Sequence, residues 1–382
     1  MPRSLFEFLG VAGVERIHTQ TIAWLLNAID SPLTIAERKT LLASLTCECT
    51  EEEVSRLVVY TELKSLDLVA CTNTEIVLVV ENKLKSRQSD EQLPTYVKTL
   101  TQVAGLLQLG CERTTKVFLT LSRERSDPGS GWTDVDYRDL SDALFKMPDH
   151  PFVTDYSNLL LSLLKARDQF ISHHLSFSEV FKRIAWSTIK RLQQPLSQNA
   201  SETLTFVDRN RLERIFVETL YRDICATVSR SIVDAGRTGI PLIQITQWKV
   251  KFDGNLYRAG LQLQGGTLKL NLASLDYARS ALNPALVEFD NYMAPFQLRP
   301  NAARARNYRS WSCKAPEDLN VHSASMQQMT AALIREAEHS ARRWQSVLNG
   351  IRAAGIRLEY EPWPEDVSAG PIPTADDADP DV

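Results

Sequence analysis

The sequence predicts an α/β protein in two domains, an αβββαβ core followed by an α+β second half, and three observations lead there. An apolar run, Ile76-Val77-Leu78-Val79-Val80, ends in Glu81-Asn82-Lys83 and follows two other strand-like stretches. Helical spacing of three and four residues flanks those stretches on both sides. At 382 residues the chain is too long for one ordinary domain and long enough for two cores.

The elements follow in chain order. Glu15, His18, Ile22, Leu25 and Ile29 share one face of a helix expected over 14–29, with the acid and the histidine extending a buried stripe. A second helix is expected over 34–46, and Glu51-Glu52-Glu53 opens the next element. Stretches 54–62, 65–71 and 75–83 read as strands joined by turns at Lys64-Ser65 and Thr72-Asn73-Thr74, an antiparallel meander. Helical spacing returns over 90–108, and 116–121 gives a fourth strand. Asp127-Pro128-Gly129-Ser130-Gly131 marks a loop, after which Trp132, Tyr137 and Leu140 lead into helical segments up to about 170. The first domain is therefore expected over 1–172 and the second over 173–357. In the second, 177–192 and 212–233 read as helices. Strands over 243–273 are split at Asp253-Gly254-Asn255 and Gly265-Gly266, and a final helix covers 324–354. After Arg357 no lysine or arginine remains and eight acids follow, so 358–382 is expected to be a disordered acidic tail.

Composition narrows the class. No apolar run approaches the ~20 residues that cross a bilayer, and the opening residues lack the basic and apolar regions of a signal peptide, so a cytoplasmic protein is expected. The six cysteines, at 47, 49, 71, 111, 225 and 313, show no CxxC or Cys/His pairing, and neither a zinc site nor a disulfide framework is indicated. A net charge of -4 gives no global attraction to nucleic acid, so any such binding must rest on local basic patches.

The chemistry concentrates between 67 and 96. Period-two alternation puts Glu81 and Lys83 on one face at the end of a buried strand, and Asp67 sits in an apolar run on the neighbouring strand. Two acids and a lysine at the mouth of a core call for a compensating hard cation with oxygen ligands, and Mg²⁺ is the natural candidate, for phosphodiester chemistry. The alternative is a surface ion pair between Glu81 and Lys83, worth about 1 kcal/mol or less. Gln92 and Tyr96, four apart on a helix, share one face.

Asp67, a hairpin, then Glu81-Asn82-Lys83 resembles the D…(D/E)-x-K signature of the PD-(D/E)XK nuclease superfamily, and Gln92-x-x-x-Tyr96 resembles the motif that follows it in RecB-like members. Glu15-x-x-His18, Trp24-Leu25-Leu26-Asn27, Glu62 and Gln92-Leu93-Pro94-Thr95-Tyr96 are similar to the pattern of PD-(D/E)XK family 4, over about residues 5 to 170. Leu66, rather than proline, precedes Asp67. The resemblance implies a restriction-endonuclease-like fold and a bacterial or phage nuclease acting on nucleic acid, DNA before RNA, with Mg²⁺ or Mn²⁺. Asp67 and Glu81 would hold the metal with the Asn82 carbonyl, and Glu15 would add a ligand. Lys83 would orient the attacking water, Gln92 and Tyr96 would serve the site, and His18 and Glu62 would lie near substrate. Arg306 and Arg309, in an arginine-rich stretch with Tyr308 and Trp311, are the further substrate-binding candidates, against the alternative of a solvated loop. A homodimer is open. The other class of reading is an effector-gated or inactive nucleic-acid-binding sensor on the same fold.

Overall fold

The computed structural model describes residues 4–85, 92–126, 129–147, 150–185, 190–191, 195–234, 240–275, 288–296, 298–301 and 308–364. The chain forms two compact units, Met1–Gln169 with Ser201–Ile215, and Phe170–Ala200 with Phe216–Val382. This differs from a single break near residue 172 in that Ser201–Ile215 groups with the first unit.

The first unit opens with helices α1 (Leu5–Phe8), α2 (Glu15–Leu26), α3 (Ile35–Ser44) and α4 (Glu51–Ser55). Capping boxes start three of them: Ser4 with Glu7, Thr34 with Glu37, and Thr50 with Glu53. α2 stops three residues short of Ile29, which is exposed. Residues 54–55 belong to α4, so the first strand is shorter than expected: the acids Glu51, Glu52 and Glu53 favour a helix N-terminus and carry Val54 into it. Strands β1 (Val58–Leu63), β2 (Leu66–Cys71) and β3 (Ile76–Lys83) form the expected antiparallel meander. Helix α5 (Gln92–Leu107) then crosses to β4 (Thr115–Thr120), which pairs parallel with β3. A fifth strand, β5 (Thr133–Asp136), extends the sheet parallel to β4, in the order β1-β2-β3-β4-β5. It stands where a helix was expected, because four residues reading Thr-Asp-Val-Asp give no strand signal until β4 supplies hydrogen bonds. α6 (Tyr137–Phe145) and α7 (Pro151–His173) follow.

β3 is central and all eight of its residues are buried, the pattern of a strand covered on both faces. One face carries Val79 into a core with Leu66, Val69, Leu93, Tyr96, Leu100 and Phe118, beneath α5. The fold is thus the mixed α/β sandwich of the restriction-endonuclease-like class.

In the second unit the helix expected over 177–192 is only α8 (Ser178–Lys182), after which β6 (Ile184–Ala185) pairs antiparallel with β7 (Lys190–Arg191). Basic pairs eight residues apart satisfy a hairpin as well as a helix face. The expected helix over 212–233 divides into α10 (Glu213–Cys225) and β8 (Ser231–Asp234), where β-branched Ile232 and Val233 pair with the next strand. α9 (Glu202–Asn210), N-capped by Ser201 and grouped with the first unit, had no counterpart in the sequence reading. The strands expected over 243–273 are present as β9 (Leu242–Phe252), β10 (Asn255–Gln264) and β11 (Thr267–Ser274), turning at Asp253-Gly254 and Gly265-Gly266 with positive φ throughout. α11 (Glu288–Met293), β12 (Arg299–Pro300), β13 (Tyr308–Lys314), α12 (Met326–Ala353) and β14 (Leu358–Pro362) complete the unit. The antiparallel sheet runs β12-β13-β11-β10-β9-β14 with β8 also on β9. Gly260 sits at a bulge where a Cβ would stand 2.0 Å from the Ile245 carbonyl oxygen, and its own carbonyl accepts from Trp344 Nε1 at 3.0 Å. Leu358–Pro362, expected to begin the disordered tail, instead pairs with β9, where Glu359 and Glu361 meet Lys251 and Lys249. The rest of the expected tail, from 365, lies outside the described residues.

Candidate active site

β2 runs antiparallel to β3, so the start of one lies beside the end of the other. Their ladder stops at Leu68 opposite Val80, and Asp67, Glu81, Asn82 and Lys83 lie just beyond the paired part. The backbone N–H of Asn82, released from the ladder, donates to Asp67 Oδ2 at 2.8 Å. In an extended strand one residue's N–H and C=O point the same way, so the Asn82 carbonyl opens toward Asp67 as well.

Alternation along β3 then divides the tripeptide. Glu81 and Lys83 share the α5 face, 2.6 Å apart between Oε1 and Nζ, with Glu81 fully buried and Lys83 nearly so. The Tyr96 hydroxyl, on α5, donates to Glu81. Asn82 turns to the other face, where its Nδ2 donates to Thr19 Oγ1 at 2.9 Å and to the Glu15 carbonyl at 3.3 Å, while Tyr137 Oη donates to Asn82 Oδ1 at 2.6 Å. A buried amide with donors and acceptor all satisfied locks the strand end to α2 and α6. On the β4 side Leu121 N–H donates to the Lys83 carbonyl at 3.1 Å. The Leu121 carbonyl is in turn held at 3.0 Å by the buried guanidinium of Arg167, which also grips Asp136 at 2.8 Å.

The electrostatics are those of two acids sharing too little compensation. Burial pushes the Glu81 carboxyl up to about 8, with the charge of Asp67 adding to it against Lys83 and Tyr96. Burial also raises Asp67, against the Asn82 N–H and Lys83, and a hydrogen bond joins its carboxyl to Glu81. For Lys83, burial alone would lower the ammonium, but Glu81, Asp67 and Glu15 outweigh it and the net shift is upward, so Lys83 stays charged. One ammonium therefore faces two carboxyls, and near neutral pH the acid pair holds a proton. A hard cation in that place would do the proton's work without its cost. Among the described residues no group of three or more His, Cys, Asp or Glu side chains forms a ready metal cage. Two carboxylates and a carbonyl suit an ion that keeps water and takes substrate oxygens as its other ligands, as Mg²⁺ does.

The remaining candidates fall into three groups. Glu62 is at the rim: exposed, in a left-handed conformation with φ 56° at a break in the β1 ladder, and its charge acts on Asp67. Glu15 acts electrostatically on Lys83, and its Oε1 accepts the Lys85 backbone N–H at 2.5 Å, which ties α2 to the segment after β3. His18, expected near substrate, is wholly buried: Nε2–H donates to the Ala12 carbonyl at 2.9 Å and Nδ1 accepts from Tyr156 Oη at 3.1 Å. Burial depresses it to about 4, so it is a neutral core histidine. Gln92 opens α5, and its side chain lies outside the described residues, as does Arg306. Arg309, in the second unit, is bound to Asp290 through Nε at 3.1 Å and through Nη2, and to the Asn301 carbonyl at 3.1 Å, so it braces β13 rather than offering a free cation. Sequence reasoning missed Thr19, Tyr137 and Arg167 as supports of the strand end, since each acts through a fold-dependent contact with no local spacing to announce it.

No curated protein and no solved structure matches the chain. A family model described as the PD-(D/E)XK nuclease superfamily matches residues 4–159, which contain Asp67, Glu81, Lys83 and Tyr96 with the helices and strands that carry them. With that match and the five-stranded mixed sheet together, residues 4–159 of this chain are similar to the PD-(D/E)XK nuclease superfamily.

Proposed function

We propose that the chain is a Mg²⁺-dependent nuclease, with Mn²⁺ as a substitute, that hydrolyses DNA phosphodiester bonds in bacterial defence or DNA processing. The observation that carries this reading is the pair of buried Glu81 and half-buried Asp67 facing a single charged lysine, an arrangement that costs stability without a cation. Asp67, Glu81 and the Asn82 carbonyl would hold the ion. When bound, it supplies a more acidic water and neutralises charge on the phosphate. Lys83, held cationic, donates hydrogen bonds to the attacking water and to the oxygen on which charge grows; because it stays protonated it acts as an electrostatic group, not as a base. Tyr96 fixes the Glu81 carboxylate, and the motif resemblance assigns Gln92, at the start of α5, to the same chemistry. DNA rather than RNA follows the family resemblance alone.

The test is cleavage of supercoiled plasmid, linear duplex, single-stranded DNA and RNA with Mg²⁺, Mn²⁺ or EDTA, comparing the native chain with Lys83→Ala and Asp67→Ala. Metal-dependent cutting of DNA that both variants lose is the expected result, and its products distinguish nicking from end resection. Cutting of RNA alone would replace the substrate, and cutting that survives EDTA would remove the metal.

A further inference from the structure

Ser201–Ile215 lies beyond the matched residues 4–159, yet it is part of the first unit. It is pinned beside the candidate site. α9 ends at Asn210, whose carbonyl accepts from Lys85 Nζ, and the backbone N–H of Lys85, two residues past Lys83, is the one held by Glu15. Gly13, just before α2, leaves the space for this clamp: a Cβ there would stand 2.2 Å from Lys85 Nζ and 3.1 Å from the Asn210 oxygen. The end of α9, the turn before α2 and the exit of β3 therefore meet at one place.

Arginines surround it. Arg209 and Arg211 flank Asn210, Arg16 lies on the first turn of α2 beside Glu15, and all three are exposed. Among the described residues none of the three guanidinium groups has an ion pair or a side-chain hydrogen bond. Arg211 occupies the left-handed cap of α9, with φ 54°, a position that favours glycine or asparagine. The chain as a whole carries a charge of -4 and the site itself is acidic, so a polyanion needs local cations to approach it. Guanidinium forks suit phosphate oxygens in pairs.

We propose that Arg209 and Arg211, with Arg16 beside them, bind the sugar-phosphate backbone of the nucleic-acid substrate next to the scissile bond, so that α9 supplies a substrate-binding wall from outside the family-matched region. The substrate class rests on the nuclease reading above; the placement of the wall rests on the Gly13–Lys85–Asn210 clamp.

The experiment measures binding of a short fluorescein-labelled DNA, single-stranded and duplex, by anisotropy across a salt series. It uses the full chain carrying Lys83→Ala so that the DNA survives, with and without Arg209→Ser/Arg211→Ser. Each lost phosphate contact lowers the slope of log affinity against log salt by about 0.7 to 0.9 and weakens binding about five- to eightfold near 0.1 M salt. The double variant is expected to lose about two such contacts, and Arg209→Lys/Arg211→Lys to recover the slope, which a merely structural defect would not do. Unchanged affinity and slope in the double variant, with cleavage by the native chain intact, would overturn the wall and leave the nuclease standing. A native chain that neither binds nor cuts any form of DNA or RNA would overturn both.

Discussion

Metal binding should expel a proton, and the amount is set by the Asp67/Glu81 pair. With Glu81 raised to about 8 and hydrogen-bonded to Asp67, the metal-free pair holds about nine-tenths of a proton at about pH 7, half at about pH 8 and a tenth at about pH 9. A divalent ion needs both carboxylates ionised, so that proton leaves when the ion enters. The perturbation is Mg²⁺ titrated into the full chain, and the assay is calorimetry in buffers of differing ionisation enthalpy, whose heats separate proton release from binding. Release close to one proton per ion near neutrality, falling to a small fraction about two pH steps higher, is the expected profile. Binding that releases no proton at neutral pH would refute the reasoning, because it would mean that Glu81 is already ionised beside Asp67 and that the ion replaces nothing.

Three further outcomes follow from the same contacts. Glu81 ionises near 4.5 in an unfolded chain and near 8 in the native one, so the native state binds the extra proton between those values; metal-free stability should fall as pH rises through that window, by at most about 1.4 kcal/mol per pH step, and Glu81→Gln should flatten the thermal-melting profile in EDTA. Tyr137→Phe leaves Asn82 Oδ1 buried without its donor and should cost about 1–3 kcal/mol in urea unfolding while slowing cleavage, whereas unchanged stability would mean that the amide network does not lock the strand end. His18→Leu should destabilise by a similar amount, about 1–3 kcal/mol, by stranding Tyr156 Oη and the Ala12 carbonyl, and should leave the proton release on Mg²⁺ binding unaltered; a large loss of Mg²⁺ affinity would return His18 to the site.

Much of the first unit is written locally. The run from Ile76 to Lys83 is apolar because the strand is covered on both faces, and the turns at Lys64-Ser65 and Thr72-Asn73-Thr74 leave an antiparallel meander as the natural solution. Asp67, Glu81 and Lys83 were legible because strand alternation and a hairpin fix their relation without further information. Glu15 and His18 share a helical stripe, and the sequence could say that the stripe was buried but not which neighbours would claim each side chain: Lys85 took the carboxylate and Tyr156 the imidazole. β5 was hidden because its partner strand, not its composition, makes it a strand. The helices expected over 177–192 and 212–233 broke where Ile184, Ile232 and Val233 found sheet partners far along the chain. Arg309 showed charge and aromatic neighbours in sequence, but not the Asp290 that occupies it.

The return of α9 to the first unit also sets an order of events in the making of the protein. A nascent chain that has emerged only as far as the end of the matched region has every acid and lysine of the site in hand, but no Asn210 for Lys85 to reach and no Leu204, Phe206 and Val207, which the completed unit buries. The site's flank therefore stays open until more than fifty further residues have left the ribosome, all of Phe170–Ala200 among them. On the reading proposed above, synthesis itself becomes a delay on activity: the candidate catalytic groups exist first, and α9 joins them afterwards.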